Sequence, residues 1–231
     1  MRFRADSLIL LFLTVTTAAL AAVMAAYGAA SWLEAISFVT GAACVWLTVK
    51  ESMWNFPISL LNVSTFSVVY FQAHLFADAS LQMLYFILTT IGWFMWLYGG
   101  EQRTVLRIGR TRRLEVTCVM LAVAGMTVLF WQTLRLIGGS ASFLDALTTA
   151  LSIGAQWLLN RKRLENWILW ITADIIYIPL YLYKGLYLTS VLYGVFLIMA
   201  IMGLMQWHQR CKKRKTPEFA GFEVVMAEKA T

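Results

Sequence analysis

Eight long apolar segments, separated by short polar stretches, run along the chain. An α-helix needs about 20 mostly apolar residues to cross the hydrocarbon core of a bilayer. We therefore predict eight membrane-spanning helices. Their approximate ranges are 8–27, 32–49, 54–73, 80–99, 114–137, 143–160, 167–183 and 186–207.

The composition agrees with a membrane protein. Hydrophobic residues make up 60% of the 231 residues and charged residues only 13%, whereas soluble domains carry about 25% charged residues. The net charge of +7 does not indicate a nucleic-acid partner, because 17 of the 19 Lys and Arg fall on one side of the bilayer if both termini are cytoplasmic. Positive residues accumulate in cytoplasmic loops, so we expect both termini in the cytoplasm and the lipid bilayer as a partner.

The chain repeats itself after 111 residues. Residues 31–96 align without a gap to 142–207, with twelve identities over 66 positions, among them Trp46 with Trp157. Each copy holds three predicted helices, so one further helix must separate the copies if both keep the same orientation. Parallel repeats of this kind are a known transporter plan, in which the substrate binds between the halves. The repeat therefore favours a transporter.

The predicted fold is all-α. It is a polytopic membrane helical bundle of two parallel three-helix repeats joined by a linker helix (3+1+3), plus an extra N-terminal helix. The divisions are 1–29 for the extra helix, 31–100 for the first repeat, 101–138 for a basic loop and the linker helix, 142–208 for the second repeat and 209–231 for a polar cytoplasmic tail. The first segment resembles a signal peptide, but its length favours a retained helix.

The segment 167–183 carries a single carboxylate among aromatic residues. Trp170, Asp174 and Tyr177 are three or four residues apart and therefore share one face of a helix, while isoleucines occupy the opposite face. A charge at mid-membrane costs about 2.5–3.5 kcal/mol even on a lenient scale. We therefore expect Asp174 to face a polar cavity that holds a small molecule. The alternative is an aromatic packing stripe with a structural Asp.

Amide and aromatic side chains elsewhere complete the candidate site. Amides pair with hydroxyls or with a carboxamide, and Trp and Tyr faces hold a flat or cationic ring. The candidate substrate-binding residues are Trp46, Asn62, Gln82, Gln156, Trp170, Asp174, Tyr177 and Tyr193. For any single Asn or Gln, the alternative is a hydrogen bond between helices.

The chain lacks the marks of an enzyme. It has no HExxH, GxSxG or P-loop motif, and its three cysteines show no metal or disulfide spacing. We predict no catalytic residues, no metal and no cofactor. One Asp without a His or Glu relay gives little support for proton coupling.

Several motifs resemble those of the PnuC family of bacterial nicotinamide riboside transporters, distant relatives of the SWEET sugar transporters. They are LLNV at 60–63, YFQ at 70–72, LQ at 81–82, GW at 92–93, and RKRLENWILW at 161–170 together with Asp174. The resemblance covers about 32–207 and implies a 3+1+3 plan. It also implies a homotrimeric uniporter of the bacterial inner membrane that admits nicotinamide riboside by facilitated diffusion, for trapping by a cytoplasmic kinase.

Two alternatives stay open. Related transporters take thiamine or riboflavin, and thiamine is also a flat cation. A non-transporting membrane receptor or assembly subunit is the other alternative, and it would need no polar cavity. A midplane cavity lined by Asn62, Gln82, Trp170 and Asp174 would argue against that second alternative.

Overall fold

A computed structural model describes residues 15, 16, 19, 32–72, 76–136, 143–183 and 187–214. The predicted first helix, 8–27, lies outside these residues except for Val15, Thr16 and Ala19. Most of the predicted tail also lies outside them.

Within the described residues the chain forms seven α-helices. They are α1 (Trp32–Val49), α2 (Asn55–Gln72), α3 (Phe76–Tyr98), α4 (Arg113–Leu136), α5 (Phe143–Asn160), α6 (Asn166–Tyr183) and α7 (Tyr187–Arg214), and a 3₁₀ turn lies at Glu101–Arg103. In this part of the chain, β-structure is limited to an isolated parallel bridge between Gly109 and Arg163. The all-α prediction is thus confirmed.

The helix ends lie close to the predicted ones, with two exceptions. Helix α3 begins at Phe76 rather than near 80, and α7 continues to Arg214 rather than ending at 207. Both extensions include charged or polar residues. A helix keeps its backbone hydrogen bonds in water as well as in lipid, so an apolar pattern marks the membrane-embedded part and not the end of the helix.

Judged by length and composition alone, three of the described helices could cross a bilayer. They are Ala79–Tyr98, Arg113–Thr133 and Ser190–Lys212. A shorter apolar segment, Ala35–Val49, lies in α1. Helices α2, α5 and α6 carry amides or a carboxylate, which lower their mean hydropathy. The count of eight spans therefore stays a prediction.

The helices form two groups of three. Helix α2 packs between α1 and α3 in the first group, and α6 packs between α5 and α7 in the second. The groups meet through α1 against α7 and through α3 against α5, while α4 packs against α5. Each group therefore contributes its first and third helices to the contact between groups.

Residues 111 apart make the same aromatic contacts in the two groups. Phe56 meets Trp96 edge-on, with ring centroids 5.1 Å apart and an interplanar angle of 85°. Trp167 meets Trp207 in the same way, at 5.4 Å and 87°. Gly203 makes room for this packing, because a Cβ atom there would lie 2.6 Å from the Trp167 ring. The second and third helices of each group are thus joined by an equivalent pair of rings.

Candidate functional site

Three tyrosine rings form a cluster between α6 and α7. Tyr177 and Tyr181 are one turn apart on α6 and stack at 5.5 Å. Tyr193 on α7 lies 4.6 Å from Tyr177 and 5.1 Å from Tyr181, measured between ring centroids. Phe196 extends the cluster, with its centroid 5.7 Å from that of Tyr193. The structure therefore brings together two of the predicted site residues, Tyr177 and Tyr193.

Hydroxyl groups connect this cluster to the first helical group. The Tyr177 hydroxyl interacts with the side chains of Thr148 and Ser152 on α5. Ser152 also interacts with the hydroxyl of Tyr85 on α3. Sequence reasoning did not single out Thr148 and Ser152, although both lie four residues apart on the face of α5 that also carries Gln156. Hydroxyls in such a row can hydrogen-bond a ligand that carries its own hydroxyls.

Asp174 is buried one turn before Tyr177. It is 4% exposed, and no ion pair or hydrogen bond of its carboxylate is found among the described residues. On the opposite side of α6, Ile168 and Ile175 are 51% and 55% exposed. The buried and exposed faces of α6 are thus those expected from the spacing. Trp170, half-buried on the same helix, packs against both of the main cores.

The predicted amides differ in what they bind. Asn62 on α2 donates from Nδ2 to the Ser37 carbonyl at 2.6 Å and to the Thr40 hydroxyl at 2.9 Å. These are bonds between helices, which leave the amide oxygen of Asn62 as the group available to a ligand. Gln82 lies half-buried on α3.

Gln156 and Asn160 form a short chain of hydrogen bonds. Gln156 donates to Asn160 Oδ1 at 3.1 Å, and Asn160 Nδ2 donates to the Leu88 carbonyl on α3 at 2.7 Å. Asn160 is fully buried, whereas Gln156 is half-buried. The alternative of a bond between helices therefore describes Asn160. Gln156 lies one turn from Ser152 on the same face of α5.

Trp46 lies apart from the tyrosine cluster. It packs against the larger core, which also contains Trp96, Trp167 and Trp207. Its indole Nε1 is buried and has no hydrogen-bond partner within the described residues. A contact between Trp46 and substrate remains a prediction. Such a contact would lie nearer one end of the bundle than the tyrosine cluster does.

That end of the bundle carries most of the described basic residues. We call it the basic end, and it comprises the α1–α2 turn (50–54), the loop 99–112, the α5–α6 turn (161–165) and the end of α7. Glu115 pairs with Arg161 at 3.2 Å and with Arg163 at 3.5 Å. Glu165 accepts hydrogen bonds from the Thr111 amide at 2.8 Å and the Thr111 hydroxyl at 2.5 Å.

Backbone bonds complete this junction. Gly109 donates to the Lys162 carbonyl at 3.1 Å and accepts from the Leu164 amide at 2.9 Å. The first part of the RKRLENWILW motif therefore bonds the loop 99–112 to the second helical group. The later part of the motif supplies Trp170, beside the buried face of α6.

An α-helical bundle of the membrane with an internal cluster of rings, hydroxyls and one carboxylate is typical of a solute transporter. Residues 31–209 match the family model described as nicotinamide mononucleotide transporter. Since the match spans most of the chain, the protein belongs to this family.

Named relatives agree with this assignment. The chain is 27% identical over 210 residues to the nicotinamide riboside transporter PnuC of Escherichia coli K12, a match that covers 80% of this chain and 88% of that protein. It is 30% identical over 191 residues to the PnuC transporter of Haemophilus influenzae, covering 79% and 82%. A riboflavin/roseoflavin transporter, RibM of Streptomyces davaonensis, is 22% identical over 195 residues, covering 82% and 91%. These relatives are transporters and not enzymes.

A solved structure shares the fold. The crystal structure of the vitamin B3 transporter PnuC superposes with a TM-score of 0.71 at 23% identity, and the match covers 92% of this chain and 98% of that one. This likeness confirms the helical membrane fold.

Proposed function

We propose that the protein admits nicotinamide riboside across the bacterial inner membrane by facilitated diffusion with alternating access. The observation that carries the proposal is the buried carboxylate of Asp174, placed one turn from a cluster of three tyrosine rings in a chain of a transporter family. Two relatives of similar length are named as nicotinamide riboside transporters, which supports this substrate.

The chemistry of the substrate fits these groups. Nicotinamide riboside carries a cationic pyridinium ring, a carboxamide and a ribose. The carboxylate of Asp174 and the faces of Tyr177 and Trp170 favour a cationic ring, with about 0.5–2 kcal/mol per ring contact. The Ser152 hydroxyl and the Gln156 amide offer donors and acceptors to ribose or carboxamide. The remaining predicted contacts, Asn62, Gln82, Tyr193 and Trp46, complete the proposed site.

The arrangement of helices supports alternating access. We infer that the two three-helix groups are parallel repeats, with α4 as the linker, and that they rock against each other around the site. Among the described helices, the main contacts between the groups are α1 with α7 and α3 with α5. The basic end is proposed to face the cytoplasm because positive loops are retained there. A cytoplasmic kinase would then trap the substrate, and the family resemblance favours a homotrimer.

A second candidate substrate is riboflavin. The match to a protein named as a riboflavin/roseoflavin transporter favours it. Riboflavin has a larger, uncharged ring system, so it would gain nothing from the charge of Asp174. Thiamine, a flat cation, would gain from that charge in the same way as nicotinamide riboside.

Uptake of labelled nicotinamide riboside into liposomes that contain the purified protein tests the proposal. No ion gradient is imposed, and empty liposomes are the control. Uptake that stops at equal concentrations, unaffected by riboflavin or thiamine, is the expected result. Uptake that requires a proton or Na⁺ gradient would contradict facilitated diffusion. Competition by one of the vitamins would move the assignment to that vitamin, and binding without uptake would indicate a receptor.

A further inference from the structure

The two helical groups hold each other at the basic end through a reciprocal pair of tryptophans. Trp96, from the third helix of the first group, donates from its indole to the Leu159 carbonyl of the second group at 3.0 Å. Trp207, from the third helix of the second group, donates to the Val49 carbonyl of the first group at 3.3 Å. Both side chains are fully buried, and their ring centroids are 6.1 Å apart. The two groups are therefore in direct contact at this end.

An ion pair lies beside the two rings. The Lys162 ammonium, on a residue that is 3% exposed, lies 3.1 Å from Glu51 Oε2 and 4.3 Å from the centroid of the Trp96 ring. It also donates to the Leu106 carbonyl at 2.9 Å. Arg210, at the end of α7, pairs with the other oxygen of Glu51. Glu51 of the first group is thus held by two cations of the second.

Several polar groups near this contact are buried without a hydrogen-bond partner in the described part of the chain. They are Trp46 Nε1, Asn55 Nδ2, Trp167 Nε1 and both amide atoms of Gln206. Trp46 and Trp167 belong to the same core as Trp96 and Trp207. Gln206, which directly precedes Trp207, is only 2% exposed. A buried polar group without a partner is unfavourable relative to its hydrated state, so these groups favour any conformation that lets water in.

We propose that Trp96, Trp207 and the Glu51–Lys162 pair form a seal at the basic end, and that two opposing sets of residues fix how often the seal opens. The ion pair and the rings hold it closed, because they join one group to the other. The unpaired polar groups, Gln206 above all, favour the open and hydrated state. The inference rests on the proposed alternating access, in which the two groups must separate here to release the substrate.

The seal can be tested by thiol labelling, without any substrate. Cys44 is half-buried on α1, and its Sγ lies 4.0 Å from the Asn55 carbonyl. In a background with Cys118→Ser and Cys211→Ser, Cys44 is the reporter for a small, water-soluble thiol reagent applied to the basic end in proteoliposomes. The labelling rate then follows the fraction of time for which water reaches this level.

The variants act in opposite directions. Glu51→Gln should speed labelling about tenfold, which corresponds to about 1.4 kcal/mol in the opening equilibrium. Gln206→Met keeps a similar side-chain volume but removes the unpaired amide, and it should slow labelling about threefold or more. Glu101→Gln, which neutralises an exposed acid at the same end, is the matched control and should label at the parental rate.

Two results would overturn the seal. One is parental labelling rates in both Glu51→Gln and Gln206→Met. The other is faster labelling in Gln206→Met, which would show that the amide holds the end closed. Because Gln206→Met removes only an unpaired group, it keeps the test decisive if Glu51→Gln fails to fold. If the variants shift labelling as expected but nicotinamide riboside is not taken up, the seal stands and the proposed substrate fails; the reverse combination leaves the transport proposal intact and removes the seal.

Discussion

Glu51 and Lys162 stand 111 residues apart in the sequence, and their side chains pair at 3.1 Å between the two helical groups. Both have left-handed backbone conformations, with φ of 58° and 53°. Each lies in the turn between the first and second helices of its group. Where two related units face each other across a two-fold axis, a residue at the axis meets its own counterpart. Identical charges would repel at such a contact, whereas Glu and Lys attract, so the sequence difference between the groups stabilises their contact.

The pair should respond asymmetrically to removal of either partner. Glu51→Gln removes the carboxylate that faces the buried Lys162 ammonium, and loss of the partner of a buried charge costs about 3–5 kcal/mol. Lys162→Met keeps an apolar side chain of similar length, and Glu51 retains Arg210. We therefore expect Glu51→Gln to be the more destabilising change. Thermal unfolding in detergent, followed by tryptophan fluorescence, measures both, and an equal or larger loss for Lys162→Met would contradict this account.

The close approach of α7 to α6 depends on a glycine. A Cβ atom at Gly203 would lie 2.6 Å from the Trp167 ring, which is buried and cannot move aside freely. Gly203→Ala should destabilise the protein by about 1–3 kcal/mol through overpacking. Gly194→Ala, on the same helix, is the matched control, because a Cβ atom there meets nothing within 4 Å.

That control should be neutral or slightly stabilising, since Ala in a helix interior is favoured over Gly by about 0.5–1 kcal/mol. The unfolding midpoints of the two variants, measured in the same detergent, test whether Gly203→Ala is the less stable of the two. A Gly203→Ala protein as stable as Gly194→Ala would mean that the Trp167 ring is less tightly held than its packing indicates.

Much of the fold followed from the apolar pattern, whereas the pairing of polar groups did not. The bounds of α1 and α5 match the predicted ranges, because apolar length and turn residues are local features. The hydrogen bond from Asn160 to the Leu88 carbonyl depends on the register of α5 against α3, and no local pattern encodes that register. The same holds for Thr148 and Ser152, whose importance appears only once Tyr177 lies against them. The contacts of the motif at 161–170 with the loop 99–112 were likewise not foreseen.

The charge of Asp174 should matter only for a charged substrate. Asp174→Asn keeps the shape of the side chain and removes the charge, so we expect affinity for cationic nicotinamide riboside to fall about tenfold or more, or about 1.4 kcal/mol. The reduced, uncharged dihydronicotinamide riboside should lose little. Binding of both compounds to the purified variant, measured by calorimetry, makes the comparison.

Thr172→Val is a suitable control for this experiment, because Thr172 is exposed on the same helix and its hydroxyl donates to the Ile168 carbonyl of that helix. Equal losses for the charged and uncharged ligands in Asp174→Asn would show that the carboxylate acts through shape or hydrogen bonding. Unchanged affinity for both would remove Asp174 from the site.

Substitution of Asn160 should mainly lower stability, whereas substitution of Gln156 should mainly weaken substrate binding. Asn160 is fully buried and joins α5 to α3 through its bond to the Leu88 carbonyl, so Asn160→Ala should lower the free energy of unfolding by about 1–3 kcal/mol. Gln156 is half-buried and bonds only to Asn160 among the described residues. Gln156→Ala should therefore unfold at nearly the parental temperature.

The uptake assay gives the second half of the comparison. Because Gln156 is half-buried and lies one turn from Ser152 on the same face of α5, Gln156→Ala should raise the KM for nicotinamide riboside while the amount of folded protein is unchanged. Asn160→Ala should instead reduce the amount of active protein and leave the KM of the remainder close to the parental value. Uptake by Gln156→Ala with a parental KM would assign this amide to helix packing, in the same role as Asn160.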